Sequence, residues 1–112
     1  MFKWPIVTLC TALTFVVVLA FRENTAYTLV AVALLGVVML AASWSWEHFV
    51  VYVVLFLIGI GMEILMVHVG VWSYLRPSYF GVPLWIPFIW SNAGLFVIEL
   101  KEVVDARLQK MA

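Results

Sequence analysis

The residues best placed to do chemistry in this sequence lie inside its most apolar stretches. Glu63 sits in the run Gly-Ile-Gly-Met-Glu-Ile-Leu-Met-Val-His, residues 59–68. A charged carboxylate at the centre of a bilayer costs about 2.5–3.5 kcal/mol on insertion scales, so an acid there marks a functional position by default. As a neutral carboxylic acid in a dry site, Glu63 would serve as a general acid toward a double bond or a hydroxyl. The competing reading is a carboxyl group hydrogen-bonded between helices as structural glue. Asn92 lies at similar depth in another apolar run and is the candidate to orient Glu63. Tyr52, Phe56 and Gly59 precede Glu63 on the same helical face and are candidate lining residues, with Tyr74, Trp85 and Trp90 from farther along the chain. Gly59 and Gly61 would let another helix or a flat ligand approach the backbone. His68 follows Glu63 by five residues, about 140° around a helix, and so faces elsewhere. It reads as an interface-facing histidine or as a proton exchanger for a cavity open on its side.

These residues need elements to hold them. Residues 4–21, 24–46 and 77–98 carry no charged side chain. At 1.5 Å per residue each is long enough to cross a hydrocarbon core of about 30 Å. Residues 48–72 are equally long and are interrupted only by Glu63 and His68. The pattern predicts four spanning helices, about 4–21, 26–43, 47–72 and 83–105, in a single transmembrane domain over 1–112. The fold class is all-α, an integral membrane four-helix bundle with up-down topology and short loops. Its C-terminal helix extends past the membrane. A transmembrane barrel is excluded because no alternating segments of about ten residues occur.

Asn24 or Thr25 suits the start of the second helix, and Ser43 or Ser45 the start of the third. Pro83 suits the first turn of the fourth. Pro87 is expected to kink or loosen that helix near its start. Trp85, Asn92 and Glu99, spaced by seven, form its inward stripe. Beyond the membrane, Leu100, Val103, Val104, Leu108 and Met111 recur at helical spacing. That face rests on headgroups or docks a partner.

Composition agrees with a bilayer protein. The chain of 112 residues is 67% hydrophobic and 11% charged, with no net charge and a mean hydropathy of +1.17. Soluble domains are about half apolar and about a quarter charged. Zero net charge gives no footprint for nucleic acid. The one cysteine, Cys10, reads as a small buried hydrophobe. With two histidines, His48 and His68, no histidine-rich metal centre is possible within one chain, and no cofactor motif is present. The first run is expected to remain as a span, since it is long and lacks an Ala-x-Ala site. Lys3, Lys101, Arg107 and Lys110 share one side, against Arg22 and Arg76 on the other. The bias points to both termini in the cytoplasm, in a bacterial inner membrane.

Residues 59–90 carry a resemblance. Gly59-x-x-x-Glu63 is followed by Gly70, Trp72, Tyr74 and Pro77, then by Gly-Val-Pro-Leu-Trp-Ile-Pro-Phe-Ile-Trp. This resembles the core of membrane carotenoid-biosynthesis proteins that include the bisanhydrobacterioruberin hydratases. It is also similar to small uncharacterised bacterial four-helix membrane families. The first resemblance implies Glu63 as candidate acid, with Tyr74 and Trp90 lining the site.

Two functions follow as expectations. One is a membrane protein that binds or acts on an apolar lipid or isoprenoid through Glu63. The other is a non-enzymatic accessory or scaffold subunit of a larger membrane complex. The partners expected are membrane lipid and a homo- or hetero-oligomer in the membrane. A small multidrug-type transporter fits the length, but there the acid belongs to the first helix, which here has none.

Overall fold

The structure, a computed structural model, describes residues 3–74, 77 and 80–111. Arg76, used above to assign sides, lies outside the described residues. Four helices follow one another: α1 (Lys3–Phe21), α2 (Thr25–Ala42), α3 (Trp46–His68) and α4 (Ile86–Met111). Among the described residues they form an all-α four-helix bundle. The start of α1, the end of α4 and the α2–α3 turn mark one end, here the terminal end. The α1–α2 turn and the α3–α4 loop mark the other, the loop end.

Local chemistry sets the boundaries. Asn24 caps α2 by accepting from the Tyr27 amide (3.0 Å), and Ser45 caps α3 by accepting from the His48 amide (3.0 Å). The Thr28 hydroxyl donates to the Phe21 carbonyl (2.5 Å), pinning the tight α1–α2 turn. At the end of α3, Gly70 takes a left-handed conformation (φ +83°). Its amide donates to the Val67 carbonyl and the Val71 amide to the Met66 carbonyl. This Schellman arrangement needs a residue without a Cβ penalty at Gly70. It stops α3 at His68, short of the expected Trp72. At the start of α4, the Ile86 amide bonds the Pro83 carbonyl in a preceding turn, and the helix begins at Ile86 rather than Pro83. Pro87 therefore falls in the first helical turn, where its missing N–H costs nothing, and the expected kink has no helix to bend. At its other end α4 runs to Met111, past the expected 105.

Three helices, α1, α2 and α3, are long and apolar enough to cross a membrane. The fourth differs from the expectation. Its charge-free part covers residues 86–98, after which come Glu99, Lys101 and Glu102. It nonetheless packs against all three others, while α1 pairs with α2.

The distribution of residue types is inverted relative to a soluble bundle. Thr11, Thr14, Thr28, Ser43, His48, Glu63, Ser91, Asn92 and Glu99 are buried, whereas Leu9, Val16, Leu19, Leu34, Val37 and Leu57 face outward. A surface of this kind suits lipid, and polar side chains turned inward tie the helices together. The molecule is a membrane protein on these grounds. Trp44, Trp46 and Phe49 cluster at the α2–α3 turn, two of them exposed tryptophans of the sort that settle at a membrane interface.

The helices meet at Asn92, which is fully buried (0% exposed). Its Oδ1 accepts from the Tyr52 hydroxyl of α3 (2.7 Å), and its Nδ2 donates to Thr14 Oγ1 of α1 (3.3 Å) and to the Val32 carbonyl of α2 (3.1 Å). Next to it, the Ser91 hydroxyl donates to the Tyr52 carbonyl (2.7 Å). Gly36 makes room: a Cβ there would press on the Tyr52 hydroxyl and come within 2.7 Å of Asn92 Oδ1. Asn92→Ala, which strands the Tyr52 hydroxyl, should cost about 1–3 kcal/mol. Gly36→Ala should also lower the melting temperature in mild detergent. Gly61→Ala is the control, because nothing lies within 4 Å of a Cβ there. It should leave stability unchanged or raise it, since alanine is the better helix former.

Candidate functional site

Glu63 lies on α3 facing α4 and is buried (6% exposed). Its neighbours along that face are small or aromatic. Gly59, one turn earlier, lets the Trp90 indole lie directly on the α3 backbone: a Cβ at Gly59 would stand 2.5 Å from Trp90 Cγ. From that position Trp90 Nε1 donates to Glu63 Oε1 (2.9 Å). The other oxygen is served by the loop. Because α3 ends at Gly70, the chain turns back, and Trp72 Nε1 donates to Oε2 (2.9 Å) beside the Tyr74 hydroxyl (2.6 Å). Gly81 (φ +81°) packs against Val67 and closes the same loop over the end of α3.

Three donors thus converge on one carboxylate, from α4 and from two loop positions. An indole N–H can only donate, so both oxygens of Glu63 act as acceptors. Burial and the neighbouring carboxylate push the Tyr74 phenol well above its ordinary range, so it holds its proton and donates as well. A carboxylate offers about four acceptor directions, and these three bonds use most of them. A hydroxyl or ammonium group could still engage Oε1. All three donors are neutral groups, two indoles and a phenol.

Asn92 does not orient Glu63. Its amide is committed to Tyr52, Thr14 and Val32, and the three partners of Glu63 come from elsewhere. The reason is rotational: Asn92 points to the bundle centre, while Trp90, two residues earlier, carries the contact to Glu63. Of the remaining candidates, Tyr74, Trp90 and Gly59 surround Glu63, and Tyr52 belongs to the Asn92 hub. Phe56 stacks edge-on against Phe88 (4.9 Å between ring centres). Trp85 is buried with Val82 and Ile86 at the loop end, where its indole N–H has no hydrogen-bond partner among the described residues. His68 is exposed at the last residue of α3. Trp72 was missed as a partner because a helix running to 72 would carry it away from Glu63; the signal was Gly70, a helix terminator two residues before it.

Two further features complete the surroundings. Between α2 and α3 lies an apolar cleft of about 600 Å³, whose lining includes Leu29, Ala33, Val37, Phe56, Ile60 and Pro87. It adjoins a smaller cavity of about 240 Å³ at the loop end, which shares Ile60, Leu84 and Pro87 and adds Ile64. Glu63 lines neither; it sits on the adjoining face of the same helix. At the terminal end a second polar cluster forms that sequence reading did not assemble. His48 Nδ1 lies 2.6 Å from the Ser43 carbonyl oxygen, and its Nε2 lies 2.9 Å from Glu102 Oε1. Glu99 Oε1 is 3.7 Å from Nδ1. The available signal was the seven-residue stripe of Trp85, Asn92 and Glu99, all three of which are buried.

The fold and this polar interior define a small helical membrane protein with an acid held among aromatic donors. The chain belongs to the family described as "Protein of unknown function (DUF817)", which it matches over residues 2–112. No curated protein and no solved structure matches it.

Glu63→Ala removes the acceptor shared by Trp72, Tyr74 and Trp90, which should cost about 1–3 kcal/mol and release the α3–α4 loop. Limited proteolysis in detergent should cut the variant between residues 69 and 85 several-fold faster than the wild type. Equal cleavage rates would show that Glu63 does not hold the loop.

Proposed function

We propose that this membrane protein binds an amphiphile, an apolar lipid of the isoprenoid kind, with its chain in the α2–α3 cleft and its polar end directed to Glu63. The observation that carries this reading is the cleft itself. It is apolar, it opens between two membrane-crossing helices, and its loop-end extension passes Ile60 and Ile64, the α3 neighbours of Glu63. Ligand sites of this size are mostly apolar with a few convergent polar groups, and about 600 Å³ is within their usual range. The polar end would be a hydrogen-bond donor, a hydroxyl or an ammonium, because Glu63 acts as an acceptor toward all three of its partners. For the same reason binding fits the geometry better than general acid catalysis, in which Glu63 would have to give up a proton.

A second reading draws on the exposed stripe of Leu100, Val104, Leu108 and Met111 along the end of α4. An apolar face beyond the charge-free part of a helix supports an accessory subunit that docks a partner or rests on headgroups.

The test is mass spectrometry of lipids that stay with the purified protein. The wild type should retain one defined amphiphile class. Ala33→Trp, which fills the cleft, should lose it, and Glu63→Gln should retain about tenfold less. Retention of an unselected membrane lipid profile by all three proteins would overturn the binding reading. Recovery of the wild type only with a stoichiometric protein partner, and without a defined amphiphile, would favour the accessory subunit.

A further inference from the structure

The His48 cluster lies at the opposite end of the bundle from Glu63 and plays no part in the reading above. His48 belongs to the first turn of α3, directly after the Ser45 cap, and is buried (3% exposed). Glu99 and Glu102 are one helical turn apart on α4 and reach toward α3 from the same face. Glu99 is buried, and Glu102 is partly open to the surroundings (45% exposed).

The hydrogen bonding of the imidazole is informative. The Ser43 carbonyl oxygen can only accept, so the 2.6 Å contact places the proton of the neutral ring on Nδ1. That leaves Nε2 as a lone-pair donor facing a carboxylate oxygen at 2.9 Å. Two electron-pair donors so placed share either a proton or a metal cation. A backbone carbonyl that holds one ring nitrogen, leaving the other for the cation, is the arrangement that orients histidine in metal sites. One ligand atom from each of His48, Glu99 and Glu102 fits in a set whose members all lie within 4.8 Å of one another. Ligands at about 2.0–2.2 Å from a tetrahedral cation stand roughly 3.3–3.6 Å apart, so the three side chains would draw closer on binding one.

We infer that His48, Glu99 and Glu102 form a binding site for one divalent transition-metal cation at the terminal end of the bundle. One imidazole with two carboxylates suits zinc, manganese or ferrous iron rather than a soft thiolate-seeking ion. The partly exposed Glu102 gives the cation its way in. The site ties the α2–α3 turn and α3 to α4, so loading should stiffen the bundle where α4 leaves the charge-free zone.

The competing account is an imidazolium held by Glu102 and Ser43 with no metal affinity, and a titration separates the two. Chelator-treated full-length protein in mild detergent is titrated with Co²⁺ and with Zn²⁺ by calorimetry, and Co²⁺ binding is followed by its visible absorption. One equivalent should bind and raise the melting temperature. Glu102→Gln, an isosteric change at a partly exposed position, should weaken binding about tenfold or more. His48→Asn should do the same if it folds. No stoichiometric binding by the wild type, or equal affinity in Glu102→Gln, would overturn the assignment.

Discussion

In a bilayer a polar side chain finds partners only within the protein, and the bundle is organised around that constraint. Asn92 is its clearest expression. One carboxamide reaches Thr14 on α1, the Val32 carbonyl on α2 and the Tyr52 hydroxyl on α3. Apolar packing alone discriminates poorly between helix arrangements when the surroundings are equally apolar. A buried amide with partners on three other helices accepts one arrangement. Gly36 belongs to the same device, because the hub needs the space that its missing side chain leaves.

Glu63 obeys the constraint in a different way. Its oxygens are filled by two indoles and a phenol rather than by a lysine or arginine among the described residues. Two glycines make this possible. Gly59 brings Trp90 against the backbone of α3, and Gly70 ends the helix so that Trp72 and Tyr74 return to it. The acid therefore fastens the α3–α4 loop to the helices it connects. Beside that fastened loop, α2 and α3 stand apart and leave the apolar cleft, so the polar anchor and the apolar space share one helix on adjacent faces. The His48 cluster repeats the theme at the other end, with a carbonyl of the α2–α3 turn fixing the ring.

Much of the architecture was legible from charge spacing. Long uncharged runs separated by Arg22, Glu23 and Glu47 define the first two helices and the start of the third to within a residue, because a charge in hydrocarbon is costly enough to mark a boundary. The fourth helix was placed too early: Pro83 and Pro87 both suit a first turn, and the spacing of two prolines does not say which one begins the helix. The inward stripe of Trp85, Asn92 and Glu99 was readable as well. The partner of Glu63 was not. Depth along the membrane suggested Asn92, but depth says nothing of rotation about the helix axis, and rotation decides which side chain faces which. His48 and Glu102 lie 54 residues apart, and neither stands out until α3 and α4 are packed together.

The claim that neutral aromatic donors hold Glu63 is tested most directly by nuclear magnetic resonance of indole-labelled protein in nanodiscs. Of the six tryptophans, Trp72 and Trp90 alone should show indole N–H resonances that move on Glu63→Gln, while that of Trp85 stays in place. Unmoved Trp72 and Trp90 signals, with a shift of the Asn92 side-chain amide instead, would contradict it.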